Sequence, residues 1–281
     1  MTDLIEVNTF TEQEGVFHDI PDAVYHRSRM SLSSSGARSI LEDTPKRFRW
    51  VQTHPKTSTD TFDLGHAVHS LVLGAGASIV DVGFDTYVPK AAKEARDKAY
   101  ADGLIPLKSS EYRKAQDMAE SVFEYPRAAR LFESGKPEVS LYHRDPVTGV
   151  MLRARPDFIA DVDGRTILVD LKTTTDSSPR GFAKSVDSFG YWQQAAWYLD
   201  VAIAVGVATP DTQFQFVAVD KAPPHLVTVH ELDPEYVEIG RQRNRLAIDI
   251  FHQCQQSGEW PGHPDEVNVI TAPAWRTKGL Q

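Results

Sequence analysis

Residues 155–176 read RPDFIADVDGRTILVDLKTTTD. Two apolar-rich runs flank Asp163-Gly164, a dipeptide that favours a two-residue hairpin turn because both positions accept positive φ. With those residues as the loop, Asp157 falls opposite Asp170 and Arg155 opposite Lys172. Strand side chains repeat every two residues, so all four point to one face. Phe158, Ile167, Val169 and Leu171 take the other face and can cover a core. Pro156 marks its end of the strand as an edge. Two carboxylates whose Cβ atoms lie about 4.5–5.5 Å apart repel each other unless a cation or a proton sits between them. Such oxygen ligands, with a lysine two residues on, suit Mg²⁺ or Mn²⁺. The structural alternative is an ion-pair lattice, Arg155 with Asp170 and Asp157 with Lys172, that only holds the hairpin.

Composition sets few limits. The chain has 281 residues, 41% hydrophobic and 25% charged, which suits one large globular domain or two small ones. Cys254 is its single cysteine, so a disulfide framework, a cysteine-ligated zinc site and an iron–sulfur cluster are all excluded. A reducing, cytoplasmic setting is expected. The N-terminal stretch is acidic and does not read as a signal peptide, and no apolar run is long enough to span a bilayer. A net charge of −9 argues weakly against nucleic acid as a ligand. Between residues 27 and 56, however, seven basic residues face two acidic ones, a local excess able to meet phosphates.

The patterning predicts a mixed α/β (α+β) domain, helices flanking a central mixed sheet, with extra helices at its N-terminal side. Residues 1–24 read as an irregular lead-in, 25–260 as a single domain and 261–281 as an extended tail. Serine caps and Pro45 predict a helix, a break and a short second helix. A further helix is expected from Leu64 to Leu73, stopped by Gly74. Residues 90–133 read as two helices around Pro106, 138–144 as a strand, and 150–161 as one strand leading into the hairpin. Residues 175–190, polar and containing Pro179 and Gly181, read as a loop. A helix from Tyr191 to about Val205, two more strands and a helix capped by Asp233 complete the order.

Pro156-Asp157, followed thirteen residues on by Asp170-Leu171-Lys172, resembles the signature of the PD-(D/E)xK nucleases, with aspartate where glutamate is usual. Gly65-x-x-x-His69, Glu138 in PEVSLY and Gln194-x-x-x-Tyr198 resemble, in order and spacing, segments of the RecB-like branch and of its RecE-type (exonuclease VIII) members. The resemblance implies a restriction-endonuclease-like core and a deoxyribonuclease that resects linear duplex DNA from the 5′ end. It implies Mg²⁺, or Mn²⁺ in its place, on Asp157, Asp170, the Leu171 carbonyl and His69, with Glu138 as a further candidate. Lys172 would orient the attacking water, Gln194 would bond near the site and Tyr198 would brace it. His66, three residues from His69, is the alternative ligand. Arg153 and Arg155 are candidates for phosphate contact, as are Ser33, Ser35 and Arg38 near a helix N-terminus, where a 5′ phosphate could sit. Implied partners are DNA ends, further copies of the chain in a ring-like homo-oligomer, and a single-strand annealing protein of the RecT type, encoded with it by a phage or prophage. The rival readings are a RecB-like or CRISPR-adaptation nuclease, a restriction endonuclease and a non-catalytic DNA-binding module. The chain has no G-x-x-x-x-G-K-[ST] loop and so no helicase motor of its own.

Overall fold

The computed structural model describes residues 12–54, 64–76 and 78–272. Lys56, the first part of the lead-in and the end of the tail lie outside these residues. The lead-in contributes a strand, β1 (Gly15–Phe17), and a short helix, α1 (Asp22–Arg27), so it is more regular than its composition suggests. Strand β2 (Ser31–Ser33) runs straight into α2 (Ser34–Glu42), where the Ser33 hydroxyl accepts from the Gly36 N–H at 3.2 Å. Thr44 caps α3 (Pro45–Thr53) in the same way, with Pro45 in its first turn. Helix α4 (Leu64–Leu73) has the expected bounds.

The stretch 90–133 differs from expectation. It holds α5 (Lys90–Ala101), α6 (Ser109–Glu124) and α7 (Pro126–Phe132), and Pro106 lies in a strand, β4 (Ile105–Leu107), that pairs in parallel with β3 (Ile79–Asp81). Pro126 starts a helix here instead of ending one, because the first turn needs no N–H from it.

Strands β5 (Gly135–Pro137), β6 (Ser140–Arg144), β7 (Met151–Ala154), β8 (Phe158–Val162) and β9 (Arg165–Thr174) follow. The hairpin register is the expected one: Phe158 pairs with Val169 and Val162 with Arg165, around Asp163 and Gly164 at φ +54° and +77°. The single strand expected over 150–161 is instead two, and they belong to different sheets. β7 lies in the order β1-β6-β7-β2, and β8 in the order β11-β10-β9-β8-β5. Arg155-Pro156-Asp157 is the crossing point, and proline's missing N–H suits it to a break in the ladder. Glu138, at φ +49°, sits at the matching break between β5 and β6, and its N–H donates to the Asp157 carbonyl at 3.0 Å. Both breaks thus carry an acid and lie side by side.

The remaining elements are α8 (Pro179–Ser188), α9 (Tyr191–Ala204), β10 (Gln213–Asp220), β11 (Val227–Glu231) and α10 (Pro234–Ser257). Helix α8 replaces the expected loop. Pro179 is in its first turn, Ser178 caps it, and Phe182 and Val186 form its buried stripe. β10 runs parallel to β9 and antiparallel to β11. Asp233 caps α10 by accepting from the Tyr236 N–H at 2.8 Å. Residues 261–272 have no regular structure.

The five-stranded sheet carries a core on each face. Leu168, Phe214, Phe216 and Ala218 pack with α2, α9 and α10, whereas Phe158, Ile167, Val169 and Leu171 pack with α4, α6 and α7. Helix α9 is fixed from two sides: Trp197 Nε1 donates to the Arg153 carbonyl at 2.9 Å, and Asn244 on α10 donates to the Gln193 carbonyl at 3.1 Å. Gly240 lets α10 close on α9, because a Cβ there would lie 2.5 Å from the Trp192 carbonyl oxygen and 2.7 Å from Ala196 Cβ. Overpacking should outweigh the gain in helix propensity. Gly240→Ala is therefore expected to destabilise the protein by about 1–2 kcal/mol, measured by urea unfolding. A variant as stable as the parent would show that the helices can separate freely.

Candidate active site

The site forms where the hairpin, α4 and α9 meet. Asp170 stands on a central strand, 1% exposed, its carboxylate held by two neighbours. Lys172 Nζ lies 2.5 Å from Oδ2, and Gln194 Nε2 donates to Oδ1 at 2.7 Å. Gln194 comes from α9, whose other side is pinned to β7 and α10. Asp157, one residue before β8, turns back to accept from the Leu171 N–H at 2.7 Å. From α4, in the opposite layer, His69 reaches the same point. Its Nε2 is 2.7 Å from the Leu171 carbonyl oxygen and its Nδ1 is 3.5 Å from Asp157 Oδ2. Two helical layers therefore converge on one stretch of β9.

Electrostatics follow from this crowding. Burial, reinforced by the Asp170 charge, lifts the pKa of Asp157 from 3.8 to about 6, against His69, Lys172 and the Leu171 N–H. Burial opposes the charge on Lys172, but Asp170 and Asp157 more than offset it, and the net shift is upward. Lys172 thus stays an ammonium, seated 4.7 Å from the centre of the Tyr191 ring. Burial also raises Glu138, helped by Asp22 and opposed by Arg155 and His69. Burial holds the Tyr198 phenol protonated well beyond the ordinary range, opposed only weakly by nearby Gln194.

A cleft of about 550 Å³ opens over these groups. His69, Glu138, Asp157, Leu171, Lys172, Tyr198 and Arg155 all line it, whereas Asp170 and Gln194, joined by their hydrogen bond, are not among its lining residues. His66 lines the cleft too, but His69 is the ring on Asp157.

The arginines and serines are placed differently. Arg155 shares the cleft yet does not pair with Asp170. Its guanidinium donates to Asp22 at 2.6 Å, Ser140 at 2.9 Å and the Ile20 carbonyl at 2.8 Å, and it lies 4.0 Å from the Tyr25 ring centre. Arg153 is buried and donates to the Ser31 hydroxyl and carbonyl, so it joins β7 to β2 and does not face the cleft. The lattice of Arg155–Asp170 and Asp157–Lys172 is not the arrangement adopted; the lysine pairs with Asp170. Ser33 and Ser35 are not among the lining residues: Ser33 caps α2, and the two hydroxyls lie 3.1 Å apart. Arg38 bonds Glu42 at 3.6 Å and donates to the Phe189 carbonyl.

Several lining residues carried no sequence signal: Asp22, Tyr25, Tyr191, Phe189, Thr173 and Lys221. Most are remote in sequence from the hairpin; Thr173, directly after Lys172, and Tyr191, three residues before Gln194, stood next to residues already singled out.

Two acids and a lysine at the end of a mixed-sheet hairpin, flanked by helical layers, define a domain of the PD-(D/E)xK nuclease type. The family described as PDDEXK-like domain of unknown function (DUF3799) matches residues 33–273, and the chain belongs to it. A search of the curated proteins finds no match. Among solved structures, a candidate exonuclease from Eubacterium rectale is similar at 13% identity, covering 93% of this chain and 98% of that one with a TM-score of 0.59, which is a likeness of fold. An alkaline exonuclease from Laribacter hongkongensis, also 13% identical, covers 69% of this chain and 97% of its own, with a TM-score of 0.29 too low to carry argument. Among the described residues, no helix is long and apolar enough to cross a membrane.

Proposed function

We propose that the protein is a Mg²⁺-dependent deoxyribonuclease that resects one strand of linear duplex DNA from its 5′ end, with Mn²⁺ able to substitute. The observation that carries this reading is the convergence of Asp157, Lys172 and His69 in one cleft, with Asp170 buried behind them and paired with Lys172. The donors fit a hard divalent ion. His69 Nε2 and the Leu171 carbonyl are 2.7 Å apart, and adjacent donors on an octahedral ion with bonds of about 2.1 Å sit roughly 3 Å apart. Among the described residues no three His, Cys, Asp or Glu side chains form a ready ligand group, and the set proposed here includes the Leu171 backbone carbonyl. Asp157, Asp170, Leu171 O and His69 would hold the ion, with Glu138 a further acid beside them. A bound ion would supply Lewis-acid polarisation of the phosphate and acidify the attacking water.

The chain's own groups do the rest. Lys172, held charged by Asp170, donates to a phosphate oxygen and offsets the negative charge that develops on it. Gln194 fixes the Asp170 carboxylate, and Tyr198 steadies Gln194. Arg155, pinned by three acceptors and paired with Asp22, borders the cleft as a guanidinium held in place. As in the RecE-type enzymes that the motifs resemble, the active species is a ring-like homo-oligomer in the bacterial cytoplasm, supplying single strands to an annealing protein in recombination. A direct test digests linear and covalently closed duplex DNA in Mg²⁺, with and without a 5′ phosphate. Shortening of the 5′-ended strand of linear DNA alone is expected. Nicking or linearisation of circles would instead make it an endonuclease, and no cleavage in either Mg²⁺ or Mn²⁺ would make it a binding module.

A further inference from the structure

An aromatic ladder leads from the core to the cleft mouth. Phe216 is fully buried, and its ring centre lies 5.6 Å from that of Tyr191 in a stacked arrangement. Tyr191 carries the Lys172 ammonium over its ring and stands 5.6 Å from Phe189. Phe189 lines the cleft and is 55% exposed. Solitary exposed aromatics are common and need no explanation. This one differs in being held from three sides. Its N–H donates to the Ser185 carbonyl at 2.9 Å, its carbonyl accepts from Arg38 of α2, and its ring leans on Tyr191. A ring that packs on Tyr191, itself under the Lys172 ammonium, and still leaves more than half its surface in water gains only part of the energy that burial would return.

Resting on the nuclease reading above, we propose that Phe189 is a positioning residue: its ring stacks on the nucleobase adjacent to the phosphate held at Lys172. The chemistry matches. A nucleobase offers a flat π-face, stacking on an aromatic side chain is tolerant of sequence, and the adjoining phosphate falls to the cation behind it. Lys221 and the hydroxyls of Thr173 and Ser185, which line the same cleft, are polar groups suited to the strand's sugar-phosphate backbone. Arg38 then acts through Phe189, fixing its backbone, and needs no phosphate of its own.

The test uses the full chain in Mg²⁺ and a duplex whose terminal linkages are cleavage-resistant phosphorothioates, with 2-aminopurine as the 5′-terminal or the next base. Wild type should quench the 2-aminopurine on binding. Phe189→Ala should lose the quenching and raise KM on natural linear duplex by about tenfold, with only a small drop in thermal midpoint because the ring is more than half exposed. Phe189→Tyr and Phe189→Trp should restore both readouts, and Phe189→Leu should not. Wild-type quenching and KM in Phe189→Ala, or full rescue by leucine, would overturn the stacking role while leaving the nuclease reading intact. A wild-type protein that neither binds nor cuts the duplex would overturn both.

Discussion

Asp170→Asn and Lys172→Gln are each expected to lower Mg²⁺-dependent cleavage of linear duplex DNA by about 10²–10³-fold while the protein stays folded. Asparagine keeps an oxygen for the Gln194 bond at 2.7 Å, and glutamine spares the site a truncated side chain next to a 1%-exposed carboxylate. What is lost is charge. Lys172 and Asp170 form a 2.5 Å pair that is desolvated as a unit, so each variant breaks the same arrangement. Groups that act as a unit are strongly non-additive, and the double variant should be scarcely slower than the slower single one. Circular dichroism and a single-turnover assay check this. If the pair only braced the hairpin, the variants would lose stability and keep their rate per folded molecule.

Asp157→Asn should abolish metal-dependent cleavage and, without divalent ions, make the protein more stable at pH 8. The sign follows from Asp157's pKa, about 6 in the folded chain against an ordinary 3.8, raised by burial and then by Asp170. The folded state binds this proton more tightly than the unfolded state. Its stabilising contribution is full below about pH 4 and is lost as the pH rises through about 6. Above that, the charged carboxylate costs on the order of 3 kcal/mol, which asparagine removes. Urea unfolding at pH 8, 6 and 4 should show the variant's advantage shrinking to nothing. Adding Mg²⁺ should stabilise wild type and leave the variant unmoved, because only the former gains a ligand for its folded state. A variant less stable than wild type at pH 8, or an advantage independent of pH, would refute the assignment of Asp157 as a strained ligand.

The hairpin was legible because its information is local. Asp163-Gly164 fixes the turn, the turn fixes the register, and the period of two then places Asp170 and Lys172 on one face. Helix α4 and the run of α9 were legible for a similar reason, since apolar spacing and flanking glycines bound them. Three misreadings turn on proline. Pro106 was taken as a break between helices and Pro179 as part of a loop, whereas the fold uses them in a strand and in the first turn of a helix; Pro156 was read within one strand, whereas the chain crosses there between two sheets. Proline tells only where an N–H is missing, and which partner can do without that N–H is a question of tertiary pairing.

By itself, then, the sequence determined the class of domain, the acid–acid–lysine hairpin and the order in which His69, Glu138 and Gln194 would join it. Only the tertiary structure decided the pairing of charges. Lys172 goes to Asp170 because both hang from one strand, and Arg155 goes to Asp22 because the chain crosses between sheets at Pro156 and turns the arginine toward the lead-in. Opposite charges a few residues apart have several compatible pairings in sequence, with nearly equal Coulomb energy. Burial chooses among them, and burial is a property of the packed layers, not of the order of residues along the chain.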